Sequence, residues 1–182
     1  MKVLSIAEVE TIVADGRDLS ESKLSPILDE LEKDHVGVYR VIYGETFDAI
    51  AEINRNMAEL YLDLAFDVIW VFRKQFGKPP EIFEEERWVS SKLSLIDREL
   101  KSLVKDMPMD KKIREHLQGR FIERSLESKI QMGLLEYLED QLTRYVTFDN
   151  KRVAAEQLTM NLLFVLVRLM GDLYYLQTPK SA

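Results

Sequence analysis

The sequence predicts an all-α protein: an antiparallel bundle of four long helices with an N-terminal pair of short helices. Three observations carry that expectation. Apolar residues recur with a 3.6-residue period in every long segment. Helix-start and helix-stop residues stand between those segments. The one β-branched and aromatic run, residues 38–43, is short and isolated. At 182 residues the chain suits one domain, large enough to bury most of its apolar surface without staples. The expected layout is a single domain over residues 1–177, with a short-helix hairpin at 1–37, a four-helix core at 45–176 and a frayed tail at 178–182.

Each element has its own punctuation. Ser5-Ile6-Ala7-Glu8 reads as a capping box, in which the Ser5 hydroxyl accepts from the Glu8 amide and the Glu8 carboxylate returns to the Ser5 amide. Gly16 then offers a left-handed stop. Ser25-Pro26 reads as an N-cap with proline in the first helical position, where its missing N–H costs nothing, and Gly37 closes that second helix. Residues 38–43 are read as a short strand or irregular link, followed by Gly44. A third helix is expected over residues 45–76, ended by Gly77-Lys78-Pro79-Pro80.

The fourth helix starts near Glu81, with Glu84, Glu85 and Glu86 complementing the positive end of its dipole. Its core stripe is Val89, Leu93, Ile96, Leu100 and Leu103, with Lys101 and Lys105 at the carboxyl end and Met107-Pro108-Met109-Asp110 as the stop. Asp110 caps a fifth helix whose stripe runs Ile113, Leu117, Phe121, Leu126, Ile130, Leu134, Leu138, Leu142 and Tyr145. Gly119 and Gly133 fall inside it at about 1 kcal/mol each against Ala, so one of them marks a kink or a close crossing. Residues 147–150 break the pattern, and a sixth helix follows over residues 151–176.

Composition removes several kinds of function. With no cysteine there is no disulfide framework, thiolate zinc site, iron–sulfur cluster or Cys nucleophile. The start lacks a cationic segment followed by an apolar core and a small-residue cleavage site, so a cytoplasmic location is expected. A formal charge of −7 repels nucleic acid and anionic lipid. The basic cluster Lys111, Lys112, Arg114, Arg120 and Arg124 is interrupted by Glu115 and Glu123, lacks a stacking platform, and reads as a solvated helix face. Residues 158–176 approach membrane-spanning length but contain Asn161, Arg168 and Asp172, which makes them a core helix; no nucleic-acid or membrane partner is expected.

Chemistry, if present, centres on an acidic line along the third helix: Glu45, Asp48, Glu52, Asn56, Glu59, Asp63 and Asp67, at helical steps of three and four. Glu45, Asp48, Glu52, Glu59 and Asp63 are the candidate ligands for Mg²⁺ or Mn²⁺, completed by Glu136, Glu139 and Asp140 or by Glu84, Glu85 and Glu86 from a neighbouring helix. The competing reading is a solvated acidic face, with no cofactor.

Residues 169–175 resemble the second metal motif of all-α nucleoside triphosphate pyrophosphohydrolases of the MazG type. Leu169 stands where that family places a glutamate, and no E-E-x-x-E is present, so no site residue is carried over. The E-x-x-H pairs of ferritin-like di-iron bundles are absent too, since neither His35 nor His116 follows a glutamate by three. His116 is similar in setting to the histidine of four-helix phosphotransfer domains, but Gln118-Gly119 replaces the lysine and glycine that follow it there. It reads as a surface residue. His35 is expected near a helix carboxyl end, where the dipole favours its protonated form.

The sixth helix places Asn161, Arg168 and Asp172 on one face of an apolar rod, where Arg168 can pair with Asp172, Asp63 or Asp67. Asp63, Asp67, Asn161, Arg168 and Asp172 are therefore the expected buried polar network. The third and sixth helices are too apolar for ordinary bundle members, which points to a homodimer with Tyr61, Phe66, Trp70, Phe72, Tyr174 and Tyr175 at its interface. The leading functional expectation is a non-enzymatic interaction or assembly module. A divalent-metal-dependent hydrolase of phosphate compounds is the alternative, and a bundle holding an apolar ligand near Met57, Met160 and Met170 is the second.

Overall fold

A computed structural model describes residues 2–103, 108–127, 131–146 and 153–176, and among these every regular element is helical, with no strand. Helix α1 (Ile6–Arg17) opens on the expected capping box: Ser5 N donates to Glu8 Oε2 at 2.8 Å and Glu8 N to Ser5 Oγ at 3.4 Å. Gly16 does not stop this helix from a left-handed conformation. It lies buried within α1, and a Cβ there would stand 2.6 Å from Trp70 Nε1, so its missing side chain lets α1 close onto the Trp70 indole.

Helix α2 (Glu21–Asp34) begins after Ser20, not Ser25, so Pro26 sits inside it. Its ring removes one N–H from the ladder there. The link expected at residues 38–43 is helical as well: α3 (Val36–Arg40) runs into a π-helical segment (Val41–Thr46) and then α4 (Phe47–Ala51). Gly37 lies in α3, where its N–H donates to Glu85 Oε2 at 2.7 Å and Val38 N–H to Glu85 Oε1 at 3.2 Å. A carboxylate from a distant helix thus satisfies the first amides of α3.

The long third helix divides. The chain turns at Glu52-Ile53, and Asn54 caps a new helix, α5 (Arg55–Phe76), accepting from Met57 N at 3.0 Å. Gly77 ends α5 at φ +82, as its position predicts. Helix α6 (Glu85–Leu103) starts four residues later than expected. Asp110 caps α7 (Lys111–Glu127) by accepting from Lys112 N at 2.9 Å and Ile113 N at 3.2 Å.

Gln131 is outside helix, so the single fifth helix is replaced by α7 and α8 (Met132–Val146). Gly133, in the first turn of α8, is the close crossing: a Cβ there would come within 2.4 Å of the Leu4 carbonyl oxygen. Helix α9 (Val153–Tyr175) completes the chain. The expected features at Lys105, Met107, Ile130, residues 147–150, the start of the sixth helix at 151 and the tail at 178–182 lie outside the described residues.

The core sits between α5 and α9. Helix α5 also packs on α1 and α4, α8 on α1 and α9, and α6 on α3, α7 and α9. Val68, Ile69, Trp70, Val71 and Phe72 are buried in succession, so α5 is enclosed on all sides over that stretch. Helix α9 is long and apolar enough to cross a membrane by length and composition alone. Here Leu163, Leu166, Leu169, Met170 and Leu173 belong to the core it shares with α5.

Candidate functional site

The end of α1 is fixed on α5 by two contacts. Trp70 Nε1 donates to the Ile12 carbonyl at 2.8 Å, and the indole occupies the space over Gly16. The next residue, Arg17, then reaches a buried carboxylate. Its Nη2 donates to Asp67 Oδ2 at 2.8 Å and to the Tyr137 hydroxyl at 3.0 Å, and the Tyr137 hydroxyl donates to the same Asp67 oxygen at 2.9 Å. This knot ties α1, α5 and α8 together. Burial pushes the Asp67 carboxyl above the usual carboxylate range, and the charge of Arg17 with the hydrogen bonds from Tyr137 and Arg17 offsets only part of that. Burial also opposes the Arg17 charge, but the facing Asp67 carboxylate, joined by Tyr137 and Asp63, outweighs it and holds the guanidinium above its ordinary value.

Beside the knot opens a cleft of about 350 Å³, lined by Gly16 and Arg17 of α1, Leu24 of α2, Leu60, Asp63, Leu64, Phe66, Asp67 and Trp70 of α5, and Gln141 of α8. Its walls are mainly apolar, with a few polar groups grouped at one side, as in small binding sites generally. Asp63 is exposed at this cleft and makes no ion pair among the described residues. A second hollow, about 200 Å³ and more apolar, lies between the π-helical segment and α9, with Ile42, Leu93, Leu162 and Leu166 among its walls.

The acidic ridge is not one ridge. Glu45 and Asp48 lie before the turn at Glu52, and Asn56, Glu59 and Asp63 lie after it; all six are exposed, whereas Asp67 is buried. The proposed completing carboxylates are engaged elsewhere. Glu85 holds the α3 amides, Glu86 pairs with Arg40 at 3.1 Å, Glu84 with Arg87 at 3.2 Å and Asp140 with Arg144 at 2.7 Å. Glu136 and Glu139 are exposed on α8. Among the described residues no three His, Asp or Glu side chains gather as a metal site.

The expected buried network separates into three. Asp67 belongs to the Arg17 knot, and Asp172 pairs with Lys92 of α6 at 2.8 Å. Arg168 meets Glu99 of α6 at 3.0 Å, with both side chains at most 3% exposed, while Asp63 and Asn161 face solvent. Nothing in the sequence marks Glu99, because a lone charge beside the apolar stripe of α6 gives no sign of its partner. The Arg168 guanidinium also lies over the Phe121 and Phe164 rings, 5.6 and 6.0 Å from their centroids, and Arg120 Nε stands 3.8 Å from Glu99 Oε1. Arg114 and Gln118 of α7 both donate to the Ser102 carbonyl, so part of the basic cluster serves the α6–α7 contact.

Of the aromatics expected at an interface, Tyr61, Trp70, Phe72 and Tyr174 are interior, Phe66 is half-buried at the cleft and Tyr175 is exposed. Phe72 and Tyr174 pack at 5.5 Å between centroids across the α5–α9 contact. Met57 and Met170 are core residues. His116 is exposed. His35 does end α2, but it is fully buried, with both ring nitrogens lacking hydrogen bonds among the described residues. Burial lowers its pKa, and the Glu85 carboxylate 3.8 Å away only partly opposes this, so the neutral form is favoured rather than the protonated one. No family model, curated protein or solved structure matches this chain.

Proposed function

We propose that this protein is a non-enzymatic helical interaction module that receives a segment of a partner in the cleft framed by α1, α2, α5 and α8. The observation that carries the reading is the cleft's composition. Leu24, Leu60, Leu64, Phe66 and Trp70 supply apolar wall for an anchoring side chain, while Asp67, Arg17 and Tyr137 satisfy one another. An antiparallel core of long helices is part of the same reading, supported by the packing of α5 and α8 on α9. The apolar faces of α5 and α9 that motivate a homodimer pack on each other and on α1, α4, α6 and α8. The metal-dependent hydrolase reading has no converging carboxylates among the described residues to support it.

The test is an NMR titration of the labelled protein with a panel of amphipathic helical peptides. Saturable shifts concentrated on the Trp70 indole N–H and the Leu60, Leu64 and Phe66 amides are expected. Shifts confined to α6 and α7, or none up to millimolar peptide, a generous bound for a specific contact, would contradict the reading.

A further inference from the structure

Resting on that reading, we infer that the occupant is a cationic amphipathic helix of a partner protein, with Lys or Arg one turn from its apolar anchor. The helices that frame the cleft carry an excess of carboxylates. Over their whole lengths α1 has three carboxylates to one arginine, α2 five to two lysines and α8 three to one arginine, while α5, which supplies most of the wall, is balanced at three carboxylates to three cations. That arginine of α1 is Arg17, whose charge is already matched by Asp67 at 2.8 Å. Asp63, one turn before Asp67 on α5, is the exposed carboxylate at the cleft, beside the partly exposed Arg17.

A helix that buries one apolar side chain against Leu64 and Trp70 brings a cation at i+3 or i+4 over Asp63, because those positions share a face. An anionic segment would meet the excess carboxylates, and the one cation that lines the cleft, Arg17, is already paired with Asp67. A second copy meeting this face symmetrically would set the same carboxylates against each other, which disfavours an isologous dimer here.

The experiment uses three synthetic helices with one shared leucine stripe and Lys, Gln or Glu on the polar face. Binding is read from Trp70 fluorescence in a Trp88→Phe background. The Lys peptide is expected to bind about threefold tighter than the Gln peptide, the size of one solvent-exposed charge pair, and the Glu peptide weakest. Added salt should narrow the spread. Asp63→Lys should invert the order and Asp63→Asn should remove about half of it on a logarithmic scale. Both variants replace an exposed side chain, so their unfolding midpoints should match wild type.

Equal affinity for the three peptides would overturn the cationic assignment and leave the cleft reading standing. Binding of none would overturn both. An order unmoved by Asp63→Lys would remove Asp63 from recognition and overturn the assignment. Self-association of the protein alone, abolished by Asp63→Lys, would put a second copy in the cleft instead and overturn it as well.

Discussion

Replacing Glu99 by Leu or Arg168 by Met should each cost about 3–5 kcal/mol of folding stability, because each leaves an opposite charge buried without its main partner. Both side chains are nearly inaccessible and 3.0 Å apart, so water cannot re-solvate the survivor without opening the contact of α6 with α9. Of the two singles, Arg168→Met should cost less, since Arg120 stands 3.8 Å from the remaining carboxylate. The ring faces of Phe121 and Phe164 give Arg168 about 1–2 kcal/mol at most when Glu99 is removed. The double variant, which buries no charge at this pair, should cost less than either single, as desolvation offsets most of a buried pair's Coulomb gain.

Urea unfolding reads these differences. With a slope of about 2–3 kcal/mol per molar for a chain of this size, a single should lower the midpoint by about 1–2 M. Unchanged slopes in all variants are needed for the comparison. Singles costing under about 1 kcal/mol, or a double whose cost equals the sum of the singles, would refute the reasoning, since independent sites add and a coupled pair does not.

Other outcomes follow from the same structure. Gly133→Ala should destabilise by about 1–3 kcal/mol because its Cβ meets backbone of the segment entering α1, whereas Gly119→Ala, with nothing within 4 Å, should stabilise by about 0.5–1 kcal/mol; thermal unfolding distinguishes them. For His35 the folded pKa lies below its ordinary 6.5, so the unfolded state binds the extra proton. Its contribution to stability is complete above about pH 6.5 and is lost as pH falls through the folded pKa; the groups facing it are Glu85, Asp34, Lys78 and Glu30. Chemical denaturation across that window should show a shallower slope in His35→Leu, and an unchanged slope would count against the burial argument. Glu52→Gln and Glu59→Gln should each shift stability by under about 0.5 kcal/mol, with melting indifferent to Mg²⁺, Mn²⁺ or EDTA; a metal-dependent rise in Tm lost in the double variant would restore the cation-site reading.

What the sequence reveals is mostly what local physics decides. The Ser5 capping box, the Asp110 cap and the Gly77 stop need only neighbouring residues, and all three are found where the pattern puts them. Asn54 was legible by the same rule, as an Asn ahead of an apolar run, but the regular acidic spacing across it suggested a continuous helix. Pro26 shows the opposite failure. A proline strongly suggests a helix start, yet a helix otherwise supported by packing tolerates it.

Partner identities were not legible at all. Arg17 with Asp67, Glu99 with Arg168, and Gly16 beneath Trp70 join residues some fifty to seventy positions apart, and no periodicity in either member names the other. For the same reason Asp63 and Asp67, one turn apart on α5, looked equivalent in sequence. Folding gives one to solvent and the other to α1.

The most direct test of the cleft as the working surface is a photocrosslink from the apolar stripe of the Lys peptide. A benzophenone there, activated on the bound complex and mapped by mass spectrometry, should label Leu60, Leu64, Phe66 or Trp70, and labelling should fall in Asp63→Lys. Adducts spread over the protein, or gathered on α6 and α7 and indifferent to that substitution, would contradict it.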